Sequence, residues 1–507
     1  MIVFSNRALL VFFFLLLLFF LASSAVQNTT DGGIPLRGIE LPQHPSFNSM
    51  TPSNPDCGLS STPTSPPPPL KLQLNHITTH QTPNKDSLTH STHRDLLRIH
   101  NHHHRRRRRR RLAAADPPSQ PPELVATLES GLSLGSGEYF MDVYVGTPPK
   151  HFSLILDTGS DLNWLQCLPC HDCFAQSGPL YNPLNSSSFR NLTCRDPRCA
   201  LVSPPDAAEP CSSDDQPCPY FYWYGDRSNT TGDFATETLT VNLTGPGGGD
   251  GPAARVVEGF MFGCGHWNRG LFRGAAGLLG LGRGPLSFAS QMRALHGHGA
   301  AFSYCLVDRF AGPGVSSRLV FGEDPDLLAH PNLNYTALVK HPVDDDTFYY
   351  VDVKAIVVGG EALDVPADGF AAGGTIVDSG TTLSYFAEPA YGAIRAAFVK
   401  GVRNYEAVDG FLMGAPCFNV SSGAAGLGGL GLPGFEIVFG DGAVWAFPVE
   451  NYFIRMEPQN DVVCLAMLGM PKDSMSIIGN YQQQNFHVMY DVKRSRLGYA
   501  PMNCADV

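Results

Sequence analysis

A chain of 507 residues with 52 glycines, 41 prolines and only 16% charged side chains has room for a large core in two lobes. That composition leans toward turn-rich β structure, and the formal net charge of −11 argues against a nucleic-acid partner.

The first 25 residues read apart from the fold. Arg7 precedes an unbroken apolar run from Ala8 to Ala22, and Ser23 and Ala25 supply the small residues of a cleavage site. This is the pattern of a secretory signal peptide; an uncleaved anchor is the rival reading, and the small-residue exit disfavours it. No later stretch is apolar for long enough to span a bilayer, and the C-terminus lacks the tail of a glycolipid anchor. The expectation is a chain outside the cytosol with no stable membrane anchor after signal cleavage.

Residues 26–120 differ from everything after them. They hold PTSPPPP at 63–69, scattered histidines and HHHRRRRRRR at 102–111, a composition that cannot bury much apolar surface. Only 86–103 has helical spacing. The segment reads as a removable, largely disordered pro-segment with a basic cleavage region near its end. His102 to His104 are more simply solvated charge than metal ligands. Before residue 112 there are 13 basic and 5 acidic residues, which leaves 22 against 41 and a formal net charge of −19 for the remainder. A basic leader and an acidic body attract each other while both are ionised.

From residue 137 onward, short apolar alternations separated by turns succeed one another: EYFMDVYVG, HFSLILD, TETLTVNLT, VVEGFMFG, FYYVDVKAIVVGG, HVMYDVKRSRLGYA. These are strands at close spacing, with helical patterns only near 287–295 and 388–402. The fold class is mostly β. Twelve of the thirteen cysteines lie from Cys167 onward, an even set in an oxidising compartment, so disulfides are the default; Cys57 is the odd one. CLPCHDC at 167–173 has spacings that also suit zinc, a reading the even set disfavours. Asn28, Asn185, Asn191, Asn229, Asn242, Asn334 and Asn419 open sequons that read as surface glycosylation sites. GLSLG at 131–135 matches the serine-hydrolase elbow but lacks the buried strand that the elbow needs.

One pattern occurs twice. LILDTGSDL at 154–162 and TIVDSGTTL at 375–383 both run apolar, apolar, Asp, Thr/Ser, Gly, Ser/Thr, and their aspartates are 221 residues apart. Each copy is followed by an apolar pair and a glycine: Leu278-Leu279-Gly280, then Ile477-Ile478-Gly479. A single Asp-Thr-Gly is common turn chemistry. Two copies, each closing a buried-looking strand and each with its partner in order, imply a duplicated lobe with two carboxylates at the junction. Such a pair does not ionise together comfortably, so one proton is shared and the titration belongs to the pair. That suits general acid–base chemistry on water.

With these residues in hand, roughly 137–504 resembles the pepsin-type aspartic proteases, and the cysteine-dense stretch between the first motif and residue 218 resembles their plant atypical, nepenthesin-like branch. The resemblance implies a bilobal fold of two pseudo-symmetric β-rich lobes with the cleft between them, an N-terminal lobe over 121–338 with a Cys-rich insertion and a C-terminal lobe over 339–507. It implies Asp157 and Asp378 as the catalytic dyad, with Thr158, Gly159, Ser160, Ser379, Gly380 and Thr381 supporting them. Tyr224 and Gly225 match the flap over the substrate, and Trp164 supports Tyr224; Asp226 and Arg227 replace the usual small flap-tip residues. By the same resemblance the bridges are Cys167–Cys170, Cys173–Cys264, Cys194–Cys218, Cys199–Cys211, Cys305–Cys504 and Cys417–Cys464. The implied activity is endopeptidase cleavage of protein or peptide substrates by a monomer, with no metal or cofactor, in the apoplast or, as second choice, the vacuole. The competing reading is a catalytically weak relative that inhibits glycosidases or binds cell wall.

The opposed charges of leader and body give a first prediction. Acid protonates the carboxylates of the body, so the purified precursor should lose its leader faster as pH is lowered from 7 to about 3.5. Processing that is the same at every pH, followed by gel and N-terminal sequencing, contradicts this.

Overall fold

A computed structural model describes the strand Leu124–Ser130 and residues 138–506, apart from 203–210, 225–227, 244–252, 271, 273, 297–300, 310, 312–314, 342–346, 367–368, 371–372, 410, 422–425 and 458–459. Of two compact units, Met1–Thr64 and Ser65–Val507, the described residues all belong to the second. The signal peptide, Asn28, the pro-segment, residues 131–135 and the flap tip with Gly225, Asp226 and Arg227 lie outside the described residues. So does the helical spacing at 86–103.

The chain is mostly β and builds two lobes. Alternation of apolar and polar residues makes YFMDVYV and KHFSLILD a hairpin, Tyr139–Val145 against Lys150–Asp157, with Phe140 opposite Ile155. Its second strand turns fully buried as it nears Asp157, because it then runs parallel to Gly277–Gly280, with Leu156 opposite Leu279. A continuous apolar run is what a strand covered on both faces requires. The second lobe repeats this arrangement: Thr375–Val377 runs parallel to Ser476–Ile478, with Val377 opposite Ile478. The paired strands after each motif match too, since Trp164 lies opposite Leu278 and Tyr385 opposite Ile477.

The lobes share one antiparallel sheet. In order, it runs Leu124–Ser130, Ser317–Phe321, Ala301–Cys305, Phe486–Asp491, Arg496–Pro501 and Asn334–Val339, so strands from both halves of the sequence interleave. Phe302, Tyr304, Tyr349 and Tyr490 from this region are all buried, and Phe302 stacks on Tyr490 at 4.8 Å. The two helical patterns form Phe288–His296 and Ala390–Gly401. Among the described residues, no helix is long and apolar enough to cross a membrane.

The disulfides correct four of the six expected pairings. Cys305–Cys504 and Cys417–Cys464 form, but Cys167 bonds Cys264 and Cys170 bonds Cys173. The strand Trp164–Gln166 runs parallel to Gly263–Gly265, and the Cys167 N–H donates to Gly265 O. This carries Cys167 alongside Cys264, with 5.3 Å between their Cα atoms, and leaves Cys170 and Cys173 to close their own loop. Likewise Cys194 bonds Cys211 and Cys199 bonds Cys218, not the reverse. Cys218 is buried, and Cys199, in the short turn Pro197–Val202, packs against the same cluster, while Cys211 is exposed. The sulfurs of Cys194, Cys199 and Cys211 lie within 4.8 Å of one another, so side-chain direction rather than spacing along the chain selects the partners.

Of the sequons, Asn185, Asn191 and Asn334 are exposed, and Asn229 and Asn419 are partly buried. Asn242 lies in the strand Asn229–Leu243.

Candidate active site

Both Asp motifs stand at the ends of their buried strands, and each builds the same cradle. At Asp157, Oδ1 accepts the Gly159 N–H (2.9 Å) and Oδ2 accepts the Ser160 hydroxyl (2.6 Å). At Asp378, Oδ1 accepts the Gly380 N–H (2.9 Å) and Oδ2 accepts the Thr381 hydroxyl (2.6 Å). Any non-proline residue could supply these amide donors, but at Gly159 a side chain has no room. A Cβ there would sit 2.8 Å from the carboxyl carbon and both carboxyl oxygens of Asp378. The two loops are thus in van der Waals contact, with the Asp378 carboxyl against the backbone of the Asp157 loop. Both aspartates are buried, at 0% and 3% exposure, so each carboxylate depends on these donors.

The residues between aspartate and glycine lock the loops together. The Thr158 N–H donates to Ser379 Oγ (3.1 Å), and the Ser379 N–H donates to Thr158 Oγ1 (2.9 Å). Each hydroxyl then donates to the other lobe's strand: Ser379 Oγ to Leu156 O (3.1 Å) and Thr158 Oγ1 to Val377 O (3.4 Å). Only a hydroxyl can accept and donate at once in this way. All of these groups are buried.

A polar layer beneath the dyad escaped the sequence reading. Gln483 donates to Ile478 O (2.9 Å) and to Asp378 O (3.4 Å), and it accepts from the Tyr304 hydroxyl. Tyr304 in turn bonds Tyr490 (2.8 Å between hydroxyls). Burial pushes both phenols well above their ordinary range, and the negative charge of Asp378 adds to it, so they remain neutral. Asn480 donates to Ser379 O (2.9 Å). Asn163 and Ser384 fill equivalent places in the two lobes, accepting the N–H of Gly280 (3.1 Å) and Gly479 (3.0 Å). The signal was present in NYQQQNF, an amide-rich run just after the apolar pair and its glycine, where buried polar side chains must find partners.

An aromatic group packs in the first lobe, in one cluster with Ile155, Leu162 and Leu278. Trp164 Nε1 donates to the Tyr224 hydroxyl (2.6 Å), and Phe272 packs edge-on to both rings, at 5.0 Å and 5.6 Å. The Tyr224 N–H donates to Ser228 O, closing the hairpin on which Tyr224 rides. Trp164 is fully buried, so its indole N–H needs this partner.

Known proteins are similar to this chain over about three quarters of its length. The family described as Xylanase inhibitor N-terminal matches residues 139–323, and Xylanase inhibitor C-terminal matches residues 348–501. The chain is 40% identical over 394 residues to Aspartyl protease family protein 2 of Arabidopsis thaliana, covering 76% of this chain and 75% of that protein. It is 39% identical over 385 residues to aspartic proteinase nepenthesin-1 of Nepenthes gracilis, covering 74% of this chain and 80% of that one. Among solved structures, edgp superposes with a TM-score of 0.62 at 22% identity, over 77% of this chain and 97% of that one. Soybean basic 7S globulin superposes with 0.59 at 21% identity, over 76% and 98%. At such identities these two structures speak for the fold alone.

The crossed bonds carry a stability prediction. Thr158→Val leaves the buried Ser379 N–H and Val377 carbonyl without their partner, at about 1–3 kcal/mol each, whereas Thr158→Ser retains the hydroxyl. Denaturant unfolding should show the valine variant destabilised by about 2–6 kcal/mol and the serine variant by much less. A loss in the serine variant as large as that in the valine variant would contradict the claim that the hydroxyl carries this stability.

Proposed function

The chain belongs to the pepsin-type aspartic proteases, in their plant nepenthesin-like branch, and from that premise we propose that it is a secreted aspartic endopeptidase made as a zymogen. It acts on protein and peptide substrates at acidic pH, as a monomer in the extracellular space or apoplast. The observation that carries the reading is the pair of equivalent cradles on Asp157 and Asp378, with Gly159 against the Asp378 carboxyl.

Chemistry follows from two carboxyl groups that share one proton. The ionised one takes a proton from a water held between them, and the water oxygen forms a bond to the scissile carbonyl carbon. The protonated one hydrogen-bonds the carbonyl oxygen and stabilises the charge that develops there. Transfer of a proton to the amide nitrogen lets the C–N bond break and releases acid and amine, with no covalent enzyme intermediate. Ser160, Thr381 and the two glycine amides hold each carboxylate at fixed orientation, so little reorganisation accompanies the reaction. Tyr224, fixed by Trp164, covers the cleft and excludes water.

A second reading has support in the family descriptions, which name xylanase inhibitors. On that reading the chain binds a glycosidase and cleaves nothing. Both acids and both sets of donors are present, which favours the enzyme.

The test is cleavage of a denatured protein at acidic pH by the processed chain, with and without pepstatin. Cleavage should be stopped by pepstatin, and Asp157→Asn or Asp378→Asn should each remove it by at least about 10³-fold while the fold is kept. Cleavage that persists in either variant contradicts the dyad. A parent that cleaves nothing yet inhibits a xylanase establishes the second reading.

A further inference from the structure

The first motif carries a third carboxylate that the second motif lacks. Asp161 stands four residues after Asp157; its counterpart in the repeat is Thr382. Asp161 is only 5% exposed, yet both of its oxygens are bound. Oδ1 accepts the Gly284 N–H (2.8 Å), and Oδ2 accepts the hydroxyl of Thr347 (2.7 Å), 186 residues away at the entry to the second lobe.

The surroundings are shaped for this side chain. A Cβ at Gly282 would lie 2.3 Å from Oδ1, and one at Gly284 would lie 2.1 Å from Oδ2, so the loop Gly280-Leu281-Gly282-Arg283-Gly284 closes on the carboxylate only because those positions lack side chains. The equivalent run after Ile478 is Gly479-Asn480-Tyr481-Gln482-Gln483, which has no such gaps. Further bonds follow the same seam. The Gly282 N–H donates to Ser160 O (2.8 Å), the Arg283 N–H donates to Thr347 O (2.9 Å), and the Tyr349 hydroxyl donates to Leu281 O (2.8 Å). Ser160 is also the residue whose hydroxyl orients Asp157. Arg283 and Arg293 also act here, since their charges, with that of Asp161, bear on the buried Tyr349.

We propose that Asp161 is a positioning residue: its carboxylate latches the Asp157 loop to Thr347 of the second lobe and so holds Asp157 in register with Asp378. The inference rests on the aspartic endopeptidase reading for its effect on rate, but not for the latch itself. The repeat gives each lobe a carboxylate cradle; the latch gives the first cradle a direct tie to the other lobe. An acceptor for an amide and a hydroxyl is required, and an asparagine meets that need: its Oδ1 accepts from Gly284, and its NH₂ donates to the Thr347 oxygen.

Four variants of the processed chain test this: Asp161→Ala, Asp161→Asn, Thr347→Val and Thr347→Ser. Asp161→Ala should lower kcat on a peptide substrate by about 10–100-fold with KM within about 3-fold, because a displaced catalytic group costs rate rather than binding. Asp161→Asn and Thr347→Ser should recover most of kcat; Thr347→Val should not. Native-state hydrogen exchange, which needs no activity, should show the amides of Arg283 and Gly284 exchanging at least about 10-fold faster in Asp161→Ala and near the parent rate in Asp161→Asn. Unchanged exchange at both amides in Asp161→Ala overturns the latch. Faster exchange with kcat unchanged overturns the positioning role. A parent without pepstatin-sensitive cleavage overturns the enzyme reading alone, and exchange then still decides the latch.

Discussion

Two hydroxyls, on Thr158 and Ser379, each accept an amide hydrogen from the opposite lobe and donate to a carbonyl of the opposite lobe. The rest of the site depends on this exchange. The strands that end at Asp157 and Asp378 leave polar backbone at a lobe junction where little water reaches, and an unpaired buried group there costs about 1–3 kcal/mol. Only a close and nearly symmetric approach of the two loops satisfies both ends together. The same approach brings Gly159 against the Asp378 carboxyl, which no residue with a side chain would allow. Position of the carboxylates is therefore a consequence of satisfying the backbone around them.

On that symmetric base the two lobes differ in how they brace their loop. The second lobe uses amides and phenols: Gln483 and Asn480 bond the loop from below, and Gln483 connects it through Tyr304 to Tyr490 in the shared sheet. The first lobe uses a carboxylate and a glycine-rich loop, Asp161 with Gly282 and Gly284. Both solutions supply hydrogen-bond partners to buried polar groups of the loop they brace, and both reach across the junction. The shared sheet joins the lobes at large, while these side chains fix them near the two aspartates.

The repeat was legible because its parts are local: a buried strand, an aspartate, a small turn, and later an apolar pair with glycine. From it the two loops that meet and the duplicated lobe could be read, while the mostly β class was legible in the short apolar alternations between turns. What could not be read depends on direction or on distant partners. The cysteine spacings allow any of three pairings among Cys194, Cys199, Cys211 and Cys218, and only the turn at Pro197–Val202 decides which sulfur faces the buried one. Tyr304 and Tyr490 look like ordinary strand aromatics until their hydroxyls are seen to share a network with Gln483. Asp161 looks like a solvated turn residue, and its partner Thr347 has no sequence mark at all.

The central claim is that the two equivalent cradles hold Asp157 and Asp378 so that they share one proton. Neutron diffraction from crystals kept at the pH of maximal cleavage reads this directly. The account predicts one deuteron for the pair, with the Ser160 and Thr381 hydroxyl deuterons directed at Oδ2 of each aspartate and the glycine amides at Oδ1. Two deuterated carboxyls, or hydroxyl deuterons turned away from the aspartates, would contradict it.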